Sequence, residues 1–168
     1  MQDALYLFCD RKRHRFMVPN IQVFGWESDL VSVTRDDYVY EYEIKISRKN
    51  FLLDLTKDRH RHLSTSHVGE YAGPWPSQSQ RGANYLYYAV PENLLSLSDV
   101  PAHSGLIAVT TSGLAKVIKP APKLHKTKLT EHCRQWLERS LTHRYWTSRS
   151  KAHSEGDKGN GCSASPIG

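Results

Sequence analysis

Hydrophobic and polar positions alternate without a break over residues 38–46, Tyr-Val-Tyr-Glu-Tyr-Glu-Ile-Lys-Ile. In an extended strand Tyr38, Tyr40, Tyr42, Ile44 and Ile46 fall on one face, and Val39, Glu41, Glu43 and Lys45 on the other. Residues 29–34 (Asp-Leu-Val-Ser-Val-Thr) read as a strand before it, with Arg35-Asp36-Asp37 as the turn. Later strands are predicted over 84–90, closed by Pro91, over 105–110, and over 114–118, ended by Pro120 and Pro122. A helical period marks three other segments. Residues 3–10 place Leu5, Phe8 and Cys9 on one side. Ser47 has the chemistry of an N-cap for a helix over about 48–60, with Phe51, Leu52 and Leu55 turned inward. Residues 128–146 put Leu129, Cys133, Trp136, Leu137, Leu141 and Tyr145 on one amphipathic face. Residues 16–26 are also apolar, but Pro19-Asn20 interrupts them and argues against a continuous strand.

Strands and helices interleaved in this way predict an α/β domain over residues 1–147. The Ser-, Gly-, Pro- and Gln-rich stretch 64–82 reads as a long loop, 127–147 as a basic C-terminal helix, and 148–168 as a disordered tail. At 168 residues, 39% hydrophobic and 24% charged, the chain can bury a core without covalent staples. No apolar run approaches a membrane span, and the first residues lack a secretory pattern. Cys9, Cys133 and Cys162 form no metal or disulfide spacing, which fits a reducing, cytoplasmic setting. The formal charge of +6 is concentrated: residues 116–151 hold ten basic side chains against two acids, while the rest of the chain is slightly acidic. That distribution suggests either a polyanion partner or a solvated helix face.

The chemistry concentrates around the predicted hairpin. If Arg35, Asp36 and Asp37 form a three-residue loop, Asp29 lies opposite Glu43, and Lys45 follows on the same face. A two-residue loop would send Asp29 to the other face. Opposed carboxylates repel and call for a cation, which Lys45 or a divalent ion can supply; hard oxygen donors suit Mg2+ or Mn2+. The plain structural alternative is a solvent-facing, salt-bridged hairpin.

Asp29 followed by Glu43-x-Lys45 on an apolar strand that runs into a helix resembles the PD-(D/E)XK nuclease superfamily. The wider stretches Phe24-Gly25-Trp26-Glu27-Ser28-Asp29-Leu30, Glu41 to Arg48, Phe51-Leu52-Leu53-Asp54, Ala83 to Pro91 and Gly105-Leu106-Ile107 look like its small MmcB-like branch of bacteria and phages. The resemblance spans about residues 18–125, and departs in reading Ser28-Asp29 where the family pattern has Pro-Asp. It implies a restriction-endonuclease-like mixed β-sheet flanked by helices. It further implies Mg2+ or Mn2+ bound by Asp29, Glu43 and the Ile44 backbone carbonyl, with Lys45 as the catalytic lysine. The function implied is hydrolysis of DNA phosphodiester bonds in repair, recombination or phage DNA metabolism, inside a bacterial or phage-infected cell. A dimer would permit cutting of both strands. Some superfamily members are not demonstrated nucleases, so a non-catalytic DNA-binding or repair-accessory protein is the alternative; a third is an unrelated domain with a protein partner.

Glu27, Glu41 and Asp54 are candidates for supporting the centre. Arg48, Lys49, Lys57, Arg59 and Arg61 are candidates for phosphate contacts, as is the basic run 11–15. His60-x-His62 has weak zinc spacing, with no companion ligands to complete it. Tyr71 and Trp75 in the long loop could stack on a base.

Overall fold

The computed structural model describes residues 1–24, 26–57, 60 and 82–156, with side chains to residue 151. Helix α1 (Gln2–Arg11) leads into strands β1 (Phe16–Val23), β2 (Trp26–Val33) and β3 (Val39–Ile44), then helix α2 (Arg48–Leu55). Strand β4 (Tyr85–Pro91), a 3-10 turn (Leu97–Asp99), β5 (Gly105–Val109), β6 (Ala115–Lys119) and helix α3 (Glu131–Gly156) follow. The six strands form one mixed sheet in sequence order. β1, β2 and β3 pair antiparallel, β3–β4–β5 pair parallel, and β6 returns antiparallel.

Helices flank both faces. Leu5 and Cys9 of α1 pack with Leu30, Tyr42, Tyr87, Ala89 and Ile107 on one face. Tyr40, Tyr42, Tyr85 and Tyr87 stack there, with Tyr40 and Tyr85 ring centroids 4.3 Å apart. The opposite face carries two apolar clusters. Cys133 and Leu137 of α3 cover Val18, Val31, Val33 and Val39, while Phe51 of α2 meets Tyr88, Val90 and Leu106. On β3 that same face continues from Val39 into Glu41, Glu43 and Lys45, so a polar row lies between the two clusters.

The hairpin has the three-residue loop. Thr34 N–H donates to the Tyr38 carbonyl at 2.9 Å, and Asp37 adopts φ +62°, the left-handed residue such a loop needs. Its ladder pairs Leu30 with Tyr42 and Val33 with Val39. The turn also seats α3: Leu129 N–H donates to the Asp37 carbonyl at 2.8 Å, and Arg134 reaches Asp37 Oδ1 at 3.1 Å.

Four expectations require correction. Residues 16–23 form one strand despite Pro19-Asn20. β1 is the sheet edge, where a missing N–H removes no essential ladder bond, and Asn20 takes up the bend at φ +46°. Helix α2 stops at Leu55 rather than near residue 60, and Leu52 is exposed. Helix α3 continues to Gly156, so residues 148–156 are helical rather than tail. Trp136 and Tyr145 of α3 do not join its buried face, which Cys133 and Leu137 occupy. The predicted loop 64–82 lies almost wholly outside the described residues, as do residues 157–168.

His14 provides a handle on the fold. Its Nδ1 lies 2.7 Å from Ser32 Oγ and its ring is tilted against Tyr40. Burial, reinforced by Lys12, pulls its pKa down to about 4. An unfolded histidine takes up its proton near pH 6.5, whereas the folded one stays neutral until about 4. The stabilisation is therefore complete above about pH 6.5 and lost as pH falls toward 4, with a slope of up to about 1.4 kcal/mol per pH unit. Urea midpoints measured from pH 7 to 4 should show this decline, and His14→Gln should flatten it. An unchanged pH dependence in that variant would refute the assignment.

Candidate functional site

The candidate centre forms where β3 ends and the chain enters α2. β3 and β4 run parallel, and Lys45 N–H extends their ladder by donating to the Ala89 carbonyl at 3.0 Å. Ser47 then caps α2, its Oγ accepting from Asn50 N–H at 3.2 Å. This short connection holds Glu43 and Lys45 on one side, facing α2. Lys45 Nζ is 2.8 Å from Glu43 Oε2 and 3.0 Å from Asp54 Oδ1. Lys57 Nζ approaches the same Asp54 oxygen at 2.7 Å from the exposed side.

Asp54 is 1% exposed and organises a second group of side chains. Its Oδ2 accepts from Tyr88 OH at 3.0 Å and lies 3.1 Å from His60 Nε2. The other ring nitrogen of His60, Nδ1, faces His103 Nε2 at 3.2 Å. Tyr88 enters because the parallel register sets it beside Glu43. A connected polar path therefore leads from Glu43 through Lys45 and Asp54 to Tyr88, His60 and His103.

Burial opposes the ammonium of Lys45 most strongly, but Glu43 and Asp54 together outweigh it and hold its pKa above the ordinary lysine value. Lys45 is thus a cation at neutral pH. It suits stabilising negative charge or orienting a polar group, not accepting a proton.

Asp29 reaches the centre by another route. The pairing of β1 with β2 runs through Pro19–Leu30 and resumes at Ile21–Ser28, and the inward face changes across that step. Trp26 and Ser28 consequently lie on the Glu41 side, donating from Nε1 and Oγ to Glu41 Oε1 at 2.6 Å each. Asp29 turns toward the backbone of β3, where its Oδ2 accepts from Ile44 N–H at 2.7 Å. Gln2 of α1 holds the Asp29 carbonyl at 2.8 Å. The structure thus brings the Asp29 carboxylate to the residue between Glu43 and Lys45. It aligns it with the main chain rather than with the row formed by Glu41 and Glu43.

Glu41 is a buried carboxylate supported by Trp26 and Ser28, while Glu27 is exposed. Trp26→Phe removes the Nε1 donor to Glu41 and should cost about 1–3 kcal/mol. Glu41→Gln, whose carbonyl can accept from both Trp26 and Ser28, should cost less. Chemical denaturation of the two variants checks the order, and a neutral Trp26→Phe would refute it.

The predicted phosphate contacts divide. Arg48 is engaged with Asp99, its Nη1 2.9 Å from Oδ2, and so joins α2 to the 3-10 turn. Lys57 is paired with Asp54 but remains half exposed, and Lys49 is exposed. Arg59, Arg61, His62, Tyr71 and Trp75 lie outside the described residues. Sequence spacing singles out neither Tyr88 nor His103, and it offers His60 only within a weak zinc spacing. The strand register and the packing of α2 are what reveal that the three meet at Asp54.

In donor type, Asp29, Glu43 and the Ile44 carbonyl fit a hard divalent cation. Among the described residues no group of three or more His, Cys, Asp and Glu side chains converges as a metal cage. A Mg2+ ion held here would therefore use one or two carboxylates and complete its shell with water and phosphate. Also among the described residues, no helix is long and apolar enough to cross a membrane.

No family model matches the chain, and no curated protein matches it. Among solved structures it is similar to a protein of unknown function from Silicibacter pomeroyi, at 19% identity and a TM-score of 0.54, covering 83% of this chain and 81% of that one. That likeness concerns the fold alone: the chain is an α/β protein with a six-stranded mixed sheet flanked by helices.

Proposed function

We propose that this protein is a metal-dependent nuclease of restriction-endonuclease-like fold that hydrolyses DNA phosphodiester bonds. The observation that carries the reading is the Glu43–Lys45 contact of 2.8 Å at the carboxyl end of a parallel strand, with the Asp29 carboxylate docked on the intervening Ile44 N–H. Crevices at the carboxyl ends of parallel strands are where open α/β sheets bind their ligands. Asp29 and Glu43, with the Ile44 carbonyl, would hold Mg2+ or Mn2+. A bound divalent ion supplies Lewis-acid polarisation of phosphate and a more acidic water. Lys45, kept charged by its two carboxylates, offsets negative charge that develops on the phosphoryl oxygens. Asp54 orients Lys45, and Tyr88 and His60 orient Asp54.

A non-catalytic DNA-binding protein is the second reading, favoured by the ion pairs that already engage Lys45 from both sides. A panel of linear duplex, single-stranded, flap and branched DNA, incubated with Mg2+ or Mn2+, separates the two. Metal-dependent cutting by the parent protein, lost in Lys45→Ala, supports the nuclease. Salt-sensitive binding without cutting on any substrate overturns it in favour of the second reading.

A further inference from the structure

The C-terminal half of α3 is not needed to close the core. Beyond Cys133 and Leu137 its packing thins to the partly buried Leu141, and residues 142–151 are all exposed. Between Arg139 and Lys151 the helix carries Arg139, Arg144, Arg149 and Lys151 and no acid. One stripe at helical spacing gathers most of this chemistry. Trp136, Arg139, His143 and Arg144 line a groove of about 630 Å3 with Ile21 and Gln22 of β1. The stripe continues through Trp146 and Lys151, which border a shallower depression that shares His143. At 1.5 Å per residue, the run from Trp136 to Lys151 is about 22 Å long.

The groove is braced. Arg144 donates to the Pro19 and Asn20 carbonyls at 2.8 and 2.7 Å, fastening the helix to the bend in β1. Trp136 and Trp146 are 39% and 58% exposed, and Arg149 lies over the Trp146 ring at 6.0 Å from its centroid. Ser140, Thr147 and Ser150 separate the aromatic residues, so the stripe presents no continuous apolar face for insertion into a bilayer. A run of cations complements a phosphate backbone, and exposed indoles provide stacking surfaces for unpaired bases.

We infer that the exposed stripe of α3 from Trp136 to Lys151 is a docking site for single-stranded DNA. This deepens the proposed DNA-directed function and rests on that reading for the choice of polyanion; its geometry is independent of the Glu43–Lys45 centre. Arg139 and Lys151 would contact phosphates and Trp146 would stack on a base, while Arg144 holds the helix in place.

Binding of a labelled oligodeoxythymidine, measured in EDTA so that no metal-dependent cleavage intervenes, tests the inference. Trp146→Ala should weaken binding roughly 5- to 150-fold, the range for one lost base–aromatic stack. The double variant Arg139→Ala/Lys151→Ala should reduce the slope of log affinity against log salt by about 1.4, for two single-strand phosphate contacts. All three side chains are exposed, and circular dichroism checks that the helix persists. Unchanged affinity and slope in the variants would overturn the inference. So would absence of binding, preference for duplex, or preferential binding to vesicles of phosphatidylcholine and phosphatidylserine. Trp146→Ala and Arg139→Ala/Lys151→Ala leave the Glu43–Lys45 pair in place, so their oligonucleotide binding in EDTA reports on the stripe whatever the cleavage panel shows. Failure of the docking site is thereby separated from failure of the nuclease reading.

Discussion

Replacing Asp54 with alanine should lower the unfolding free energy by about 3–5 kcal/mol, the usual result of removing one partner from a buried ion pair. Asp54 is 1% exposed and stands 3.0 Å from the Lys45 ammonium, which is itself buried. Its loss removes one of the carboxylates beside Lys45, an acceptor of Tyr88 OH and a partner of His60 Nε2. Asp54→Asn retains hydrogen-bonding capacity without the charge and should fall between alanine and the parent. The pH dependence has a definite sign. The Lys45 pKa is raised in the fold, so its stabilising contribution is complete below the unfolded value of about 10.4 and is lost as pH rises through the folded value. Guanidinium or urea titrations at neutral pH measure the effect. An Asp54→Ala variant within about 0.5 kcal/mol of the parent would show that water replaces the carboxylate at little cost, and that the polar path is not structural.

Lys45→Ala should reduce metal-dependent DNA cleavage by roughly 100- to 1,000-fold, the effect typical of losing one preorganised group that stabilises transition-state charge. The loss should fall mainly on kcat, because Lys45 lies beside the proposed metal carboxylate rather than on an extended DNA-binding surface. Lys45→Met separates charge from packing, since methionine retains an unbranched apolar stem. Lys45→Arg should not restore full activity, because a planar guanidinium cannot reproduce the compact ammonium between Glu43 and Asp54. Single-turnover rates with saturating Mg2+, together with circular dichroism of each variant, provide the test. A folded Lys45→Ala protein that cuts within threefold of the parent would remove Lys45 from the chemistry.

Local physics makes much of the fold legible. Period-two alternation marks β3, and the same alternation puts its two carboxylates and its lysine on one polar face. The Ser47 cap, with a hydroxyl placed to accept from the first turn, marks the start of α2. The three-residue hairpin loop is one of two lengths the turn residues allow, and it carries the register that pairs Leu30 with Tyr42.

Other features depend on contacts between distant segments. That Pro19-Asn20 sits within a strand follows from β1 being an edge, a position set by the order of all six strands. The same bend turns Ser28 toward Glu41 and Asp29 toward the Ile44 main chain, which a regular alternation misassigns. Local pattern does not mark the end of α3, because residues 148–156 lack an apolar face yet continue a helix anchored upstream by Cys133 and Leu137.

The sequence by itself therefore determined the local elements around the candidate centre and its charged residues, because strand alternation and helix capping act over a few neighbouring positions. Tertiary structure alone decided that Asp54 lies between Lys45 and Tyr88, with His60 and His103 behind it. Asp54 arrives from α2 and Tyr88 from a parallel strand paired with Glu43 across 45 positions of chain. No local periodicity encodes such a register; burial of the sheet's two faces selects it.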